Sequence, residues 1–138
     1  MLQPFLRFND NKGNEAMKFY QSIFGGKLEL MMVKDSPMAK DVPAEKQNNL
    51  MHSILTTPKM SFIGMDMMRD KAVVGDNVGM SLLCESEEEL RGYFTKLSEG
   101  GEVFMAPEMQ FWGGIFGVLT DKYGIEWMMN FQKEPMKK

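Results

Sequence analysis

His52 is the only histidine in the chain of 138 residues, and imidazole is the side chain most readily tuned to give and take a proton near neutral pH. It stands in "NNLMHSILTT", two residues before Ile54, so on an extended strand the two side chains share a face. Two readings of His52 stay open: a hydrogen-bonding or acid–base group in a ligand site, or a histidine satisfied by its neighbours. Glu126 is the carboxylate that could join it in acid–base chemistry, although no spacing rule links the two. The single cysteine, Cys84, cannot form an intrachain disulfide and reads as a buried, inert thiol. The stretch "FWGGIFGVLTDKYGIEWMMN", Phe111 to Asn130, holds four glycines and both tryptophans. Gly113, Gly114 and Gly117 do not sit in the strand, glycine-rich turn and helix order that cradles a phosphate, so they read as strand or bulge glycines. The acidic run "ESEEE" reads as a solvated helix start, where the helix dipole favours negative charge.

The bulk composition narrows the setting in which such residues work. With 43% hydrophobic and 25% charged residues the chain is that of a globular protein, and its length suits one domain. The formal net charge of −3 gives no electrostatic reason for a polyanionic partner, so nucleic acid is disfavoured. No apolar run reaches the eighteen or so residues that span a bilayer, and "MLQPFLRFND" lacks a secretory pattern, so the expectation is a cytoplasmic protein that avoids membranes. The sixteen methionines are expected mainly as gap-filling core.

The elements that must position these residues repeat a pattern. "PFLRFN" alternates as a strand, with Leu6 and Phe8 opposite Phe5 and Arg7. "NKGNEAMKFYQSIFGG" places Ala16, Met17, Tyr20, Ile23 and Phe24 on one helix face, and Gly25-Gly26 ends the helix. "KLELMMV" returns as a strand, "KDSPMAKDVPAEKQ" reads as a mobile loop, and "NNLMHSILTT" and "MSFIGMD" add two strands. The second half begins with a strand in "NVGMSLLC". Ser86 and Glu89 then form a capping box ahead of a helix with Leu90, Phe94 and Leu97 buried. Strands near Glu102–Phe104, Ile115–Thr120 and Ile125–Phe131 follow. The expected fold is α+β: two βαβββ modules, about 1–68 and 76–132, in one domain whose curled mixed sheet encloses a cavity.

In this order, "EAMKFYQSIFGGKLEL", "MHSIL", "DNVGMSLLCESEEEL" and "FWGGIFGVLTDKYGIEWMMN" resemble the vicinal oxygen chelate superfamily, which contains glyoxalase I, bleomycin-resistance proteins and extradiol dioxygenases. Within it they are similar to the PhnB-like branch, with its Phe-Trp-Gly, Thr-Asp turn and Trp-Met-x-Asn strand. In the metal-dependent members the resemblance implies a divalent cation, held by His and Glu, that binds two adjacent substrate oxygens. The matching positions here are Gln3, Ile54, Asn77 and Met128. None is a histidine or carboxylate, and a thioether suits soft copper(I) better than Zn²⁺, Ni²⁺ or Mg²⁺. No cofactor is therefore expected, and a divalent metal is disfavoured.

The function implied is binding of a small organic molecule in an apolar cavity lined by Phe5, His52, Ile54, Phe62, Phe111, Trp112 and Met128, with a homodimer as the assembly. A metal-dependent lyase or dioxygenase with other ligands is one alternative. A structural or partner-binding module with a filled cavity is another.

Overall fold

The computed structural model describes residues 1–132. The chain forms two compact units, Met1–Val73 and a second that begins at Val74. Each contains one strand, one helix and three further strands in that order.

In the first unit, β1 (Phe5–Phe8) leads into α1 (Gly13–Phe24), followed by β2 (Lys27–Met32), β3 (Leu50–Thr56) and β4 (Ser61–Asp66). The strands lie in the order β1-β4-β3-β2, with β1 and β4 parallel and the other neighbours antiparallel. A parallel first and last strand requires a crossover, and α1 belongs to it. The helix buries Gly13, Ala16, Met17, Tyr20 and Ile23 against one face of this sheet, while the expected Phe24 is only half-buried. Burying a large apolar side chain of this kind contributes roughly 1.5–3 kcal/mol. Gly64 of β4 lies directly beneath Met17, where any side chain would collide with its sulfur.

No side chain caps α1 locally: the residue before it is Lys12. The cap comes from the end of β4 instead. Asp66, 2% exposed, accepts the backbone N–H of Gly13 at 2.7 Å through Oδ1 and that of Leu50 at 2.7 Å through Oδ2. One carboxylate thus fastens the helix start and the beginning of β3 to β4. Burial pushes the Asp66 pKa above its ordinary value of 3.8, against the opposing pull of its two backbone donors and of Lys46.

Between β2 and β3, the segment expected as a mobile loop is built from three short 3-10 turns, Val33–Asp35, Ala39–Asp41 and Ala44–Lys46. Gln47 closes them by donating to the carbonyls of Ala39 and Val42 at 2.7 and 2.8 Å. Prolines and charges suggested mobility, but backbone bonds within the turns, Ser36 and Gln47 supply the partners that the backbone needs.

In the second unit, β5 (Met80–Leu83), α2 (Glu87–Ser98), β6 (Glu102–Met109), β7 (Gly114–Thr120) and β8 (Glu126–Gln132) repeat the plan, with order β5-β8-β7-β6 and β5 parallel to β8. The capping box forms: Glu89 N–H donates to Ser86 Oγ at 3.0 Å, and Glu89 Oε2 accepts from the N–H of Glu85 at 2.7 Å. Leu90, Phe94 and Leu97 are buried as the spacing requires. Cys84 is buried. Strand β6 is longer than expected, because bulges between Val103 and Met105 and between Met105 and Glu108 let it run past Pro107. Strand β5 is shorter than expected: Asn77 lies in exposed chain ahead of it.

The methionine expectation is corrected. Met17 and Met129 are the two buried methionines among the described residues, whereas Met31, Met38, Met105, Met109 and Met128 are exposed. Most of this flexible apolar surface belongs to faces that the helices do not cover.

Replacing Asp66 by Asn keeps the shape but turns one acceptor into a donor facing a backbone N–H. Urea denaturation at pH 7 is expected to show a loss of about 1–3 kcal/mol. Because the raised pKa belongs to the folded state, the protonated Asp66 contribution is present below the unfolded value and is lost as pH rises through the folded one. The stability gap between wild type and D66N should therefore be wider at pH 4 than at pH 7.

Candidate functional site

Strand alternation decides which side chains a ligand could meet. In the first unit, Leu6, Phe8, Leu55, Phe62 and Asp66 are buried beneath the helix, which leaves Phe5, Arg7, Ile54, Ile63 and Met65 on the opposite, uncovered face. Register sets Phe5, Ile63, Ile54 and Glu29 side by side in one row across the sheet. Arg7 lies over the Phe5 ring at 4.9 Å from its centroid, and Lys27 pairs with Glu29 at 3.0 Å. The uncovered face is therefore an apolar strip with charges at both margins.

His52 is exposed on this face, with Met31 opposite it on β2. Gln3 donates to Ser61 Oγ at 2.7 Å at the end of the same sheet. Phe62 is a correction. At 1% exposure, with its ring 5.6 Å from that of Tyr20 in an edge-on contact, it belongs to the core under α1 and lines no uncovered face. Its position one residue from Ile63 puts it on the wrong side of a period-two strand.

In the second unit the helix covers Ile115, Gly117, Leu119, Trp127 and Met129. Gly117 lies against the helix, since a methyl group there would come within 2.8 Å of the Phe94 ring. The uncovered face carries Ser81, Met128, Val118 and Met105 in one row, and Leu83, Asn130, Phe116 and Glu108 in the next. Glu126 shares the face of Met128, opposite Thr120.

The loop joining β6 to β7 turns at Gly113, whose φ of 89° suits glycine. It folds the Trp112 indole back over the start of β7, where the ring meets Phe116 edge-on at 5.9 Å. Phe111 stacks edge-on against Trp112 at 5.0 Å but is 94% exposed, so it stands at the outer rim rather than lining an enclosed wall. Beneath the indole lies Gly114. A methyl group on Gly114 would lie 2.7 Å from Trp112 Nε1, 3.0 Å from Asn130 Oδ1 and 3.1 Å from Gln132 Oε1. Gln132 donates through Nε2 to the Trp112 carbonyl at 2.9 Å, which ties β8 to the loop. Asn130 Oδ1 is buried and has no hydrogen-bond partner among the described residues. Asn130 and Gln132 were not singled out from the sequence, and Gly114 was read there only as a strand or bulge glycine.

The remaining marks of the motif hold the structure together. Asp121, 3% exposed, accepts from Trp127 Nε1 at 2.8 Å through Oδ2. Through Oδ1 it accepts the backbone N–H groups of Tyr123 at 2.8 Å and Ile125 at 3.1 Å. The Thr-Asp turn and the tryptophan thus brace the β7–β8 hairpin.

The donor set does not fit a divalent cation. Gln3 is engaged with Ser61, Ile54 has no donor atom, Asn77 precedes the strand and Met128 offers a thioether. Among the described residues, no group of three or more His, Cys, Asp or Glu side chains is placed to hold a metal ion. A pocket of about 400 Å³ lies elsewhere in the first unit, lined by polar and charged residues including Asp10, Asn11, Lys46, Asn49, Arg69 and Lys71. It contains none of the residues expected from the sequence. Among the described residues no helix is long and apolar enough to cross a membrane.

Two mixed four-stranded sheets, each with one helix, define the fold of the glyoxalase, bleomycin-resistance and dioxygenase proteins. A glyoxylase/bleomycin resistance protein/dioxygenase domain from Frankia sp. EAN1pec superposes with a TM-score of 0.68 at 12% identity, over 97% of this chain and 92% of that one. The chain belongs to the PhnB-like family described as 3-demethylubiquinone-9 3-methyltransferase, which it matches over residues 1–130. The structure of a Bacillus cereus protein described as a putative 3-demethylubiquinone-9 3-methyltransferase, PhnB protein, superposes with a TM-score of 0.76 at 26% identity, covering 94% of this chain and 98% of that one. Protein YjdN of Escherichia coli (strain K12) is 28% identical over 143 residues, 96% of each chain.

Asp121→Ala should leave two backbone donors and the Trp127 indole without their acceptor. A loss of about 3 kcal/mol or more is expected in urea denaturation followed by tryptophan fluorescence, with a smaller loss for Asp121→Asn.

Proposed function

We propose that this protein binds a small, largely apolar organic molecule on its uncovered sheet faces, without the metal chelation of its catalytic relatives. The observation that carries the reading is the row Phe5, Ile63 and Ile54: apolar side chains set shoulder to shoulder on a sheet face that no helix covers. Phe5 is 45% exposed, and Met128 on the corresponding face of the second unit is 39% exposed. Such a face is an adaptable surface for an apolar ligand, and His52 supplies a polar group at its edge. Membership of the family fixes the fold, whereas chemistry follows the side chains at the site, so the family's description does not by itself assign methyl transfer to this chain.

The same reading includes a cytoplasmic homodimer. Exposed apolar residues along edge strand β6, Val103, Phe104 and Met105 among them, favour pairing with a second copy. Light scattering after gel filtration is expected to give twice the chain mass, and a monomer at 100 μM would remove this part of the proposal.

Native mass spectrometry and metal analysis of protein purified without chelators test the ligand and the metal together. The expected result is substoichiometric Zn²⁺, Ni²⁺, Mn²⁺ and Fe²⁺, with saturable binding of a hydrophobic probe such as 8-anilinonaphthalene-1-sulfonate. Ile54→Lys should weaken that binding about tenfold or more by placing a charge in the apolar row. Stoichiometric metal, or probe binding indifferent to Ile54→Lys, would sink the reading.

A further inference from the structure

We propose that the polar pocket of the first unit is a second binding site, for a small zwitterion of amino-acid size that carries one carboxylate and one ammonium group. It goes beyond the apolar surface proposed above, with which it shares no lining residue.

Topology makes the pocket. Strands β1 and β4 are parallel, so their carboxyl ends lie side by side, and the carboxyl ends of parallel strands are where open α/β sheets bind ligands. After β1, the chain from Asn9 to Lys12 forms a tight turn, closed by the Lys12 N–H donating to the Asn9 carbonyl at 3.1 Å. Asp10 and Asn11 take its two central positions with φ of 55° and 59°, the positive values that a type I′ turn requires and that Asp and Asn tolerate. After β4, the chain from Met67 to Ala72 supplies a second wall, fastened at both ends. Asn49 Nδ2 donates to the Met67 carbonyl at 3.3 Å. Asn9 holds Ala72 twice, accepting its N–H at 2.7 Å and donating to its carbonyl at 3.1 Å. The pocket of about 400 Å³ is thus bounded by paired asparagines, and its volume falls within the range of small-molecule sites.

Charge is the second observation. Lys46, Arg69 and Lys71 line the pocket together with Asp10, Glu45 and Asp70. Among the described residues none of the six is in an ion pair, and none spends its side chain on a hydrogen bond. A plain anion would meet the three carboxylates as well as the three cations, and a plain cation the reverse, so neither gains from the set as a whole. A zwitterion can turn each end toward its opposite. Lys46 is half-buried, whereas the other five are exposed. Its charge reaches the buried Asp66, but that carboxylate is occupied by the Gly13 and Leu50 N–H groups and does not line the pocket. The ligand carboxylate is therefore directed inward to Lys46, where solvent screens the attraction least. Its ammonium is directed outward to the exposed acidic side chains.

Three probes of one length test this at pH 7: 4-aminobutyrate, which carries both charges, butyrate, which carries only the anion, and butylamine, which carries only the cation. Each is titrated into the full chain at constant low ionic strength and followed in ¹H–¹⁵N correlation spectra. The expected result is saturable movement of the Asn11 and Ala72 backbone signals with 4-aminobutyrate, at an affinity about fivefold or more above that of either other probe. Arg69→Gln combined with Lys71→Gln should lower 4-aminobutyrate affinity about threefold or more. Asp10→Asn combined with Asp70→Asn should do the same, and the first of these preserves a turn that Asp and Asn both tolerate. An unmoved Leu50 N–H signal, bonded to Asp66, verifies the fold of each variant, and the comparison of probes on the unaltered chain needs no variant. Butyrate binding as tightly as 4-aminobutyrate would make this an anion site, and butylamine binding as tightly would make it a cation site. Either outcome overturns the proposal. So do movements confined to Ile54 and Ile63, indifference to both pairs of substitutions, or no movement with any probe, which would mean that the six charges are only solvated. The apolar-surface reading is decided separately, by hydrophobic-probe binding to Ile54→Lys.

Discussion

One helix can cover only one face of a four-stranded sheet, and the rest of this structure depends on that limit. In each unit the crossover between the first two strands supplies a single amphipathic helix, so one side of every strand enters a core and the other is left open. Alternation then assigns every side chain to one of two environments. Phe62 and Ile63 are adjacent and equally apolar, yet one is packed against Tyr20 and the other stands on the uncovered face. The fold thereby creates exposed apolar surface by construction.

What could be read from the sequence follows the range of the forces involved. Helices α1 and α2 were legible because their buried stripes repeat every three to four residues, and the Ser86–Glu89 box was legible because both of its members lie within one turn. The doubled βαβββ order was legible for the same reason. The faces of β1 and β3 also came through, since their alternation is regular enough to place Phe5 and Ile54 opposite the helix. Phe62 was lost because it was assigned by residue type, as an aromatic suited to a ligand, rather than by its parity on the strand. Asn77 was lost because its strand starts three residues later, at Met80, and β-strand ends carry little local signal.

Long-range partners were invisible in the sequence. Asp66 caps a helix whose first residue lies 53 positions away, and the same carboxylate holds the start of β3. No local pattern distinguishes it from an ordinary strand-end aspartate. The 3-10 segment between β2 and β3 has the composition of a mobile loop, and the backbone bonds of its turns together with the reach of Gln47 back to Ala39 and Val42 make it a built one. Buried polar groups of this kind are specific because each must find its partner or destabilise the fold.

The family signature "FWGGIFGVLTDKYGIEWMMN" divides into two jobs once its contacts are known. Asp121 accepts from the Trp127 indole and from two backbone N–H groups of the turn between them, so this pair braces the hairpin. Trp112, Gly114 and Asn130 differ in kind: a loop folds an indole over a glycine, and an amide oxygen beside it is buried without a hydrogen-bond partner among the described residues. A glycine is required at this point because a methyl group would collide with the indole nitrogen. Met128 contributes apolar, deformable surface to the face that the helix leaves uncovered. One segment thus carries both the internal bracing of the hairpin and part of the apolar surface that the helix leaves exposed.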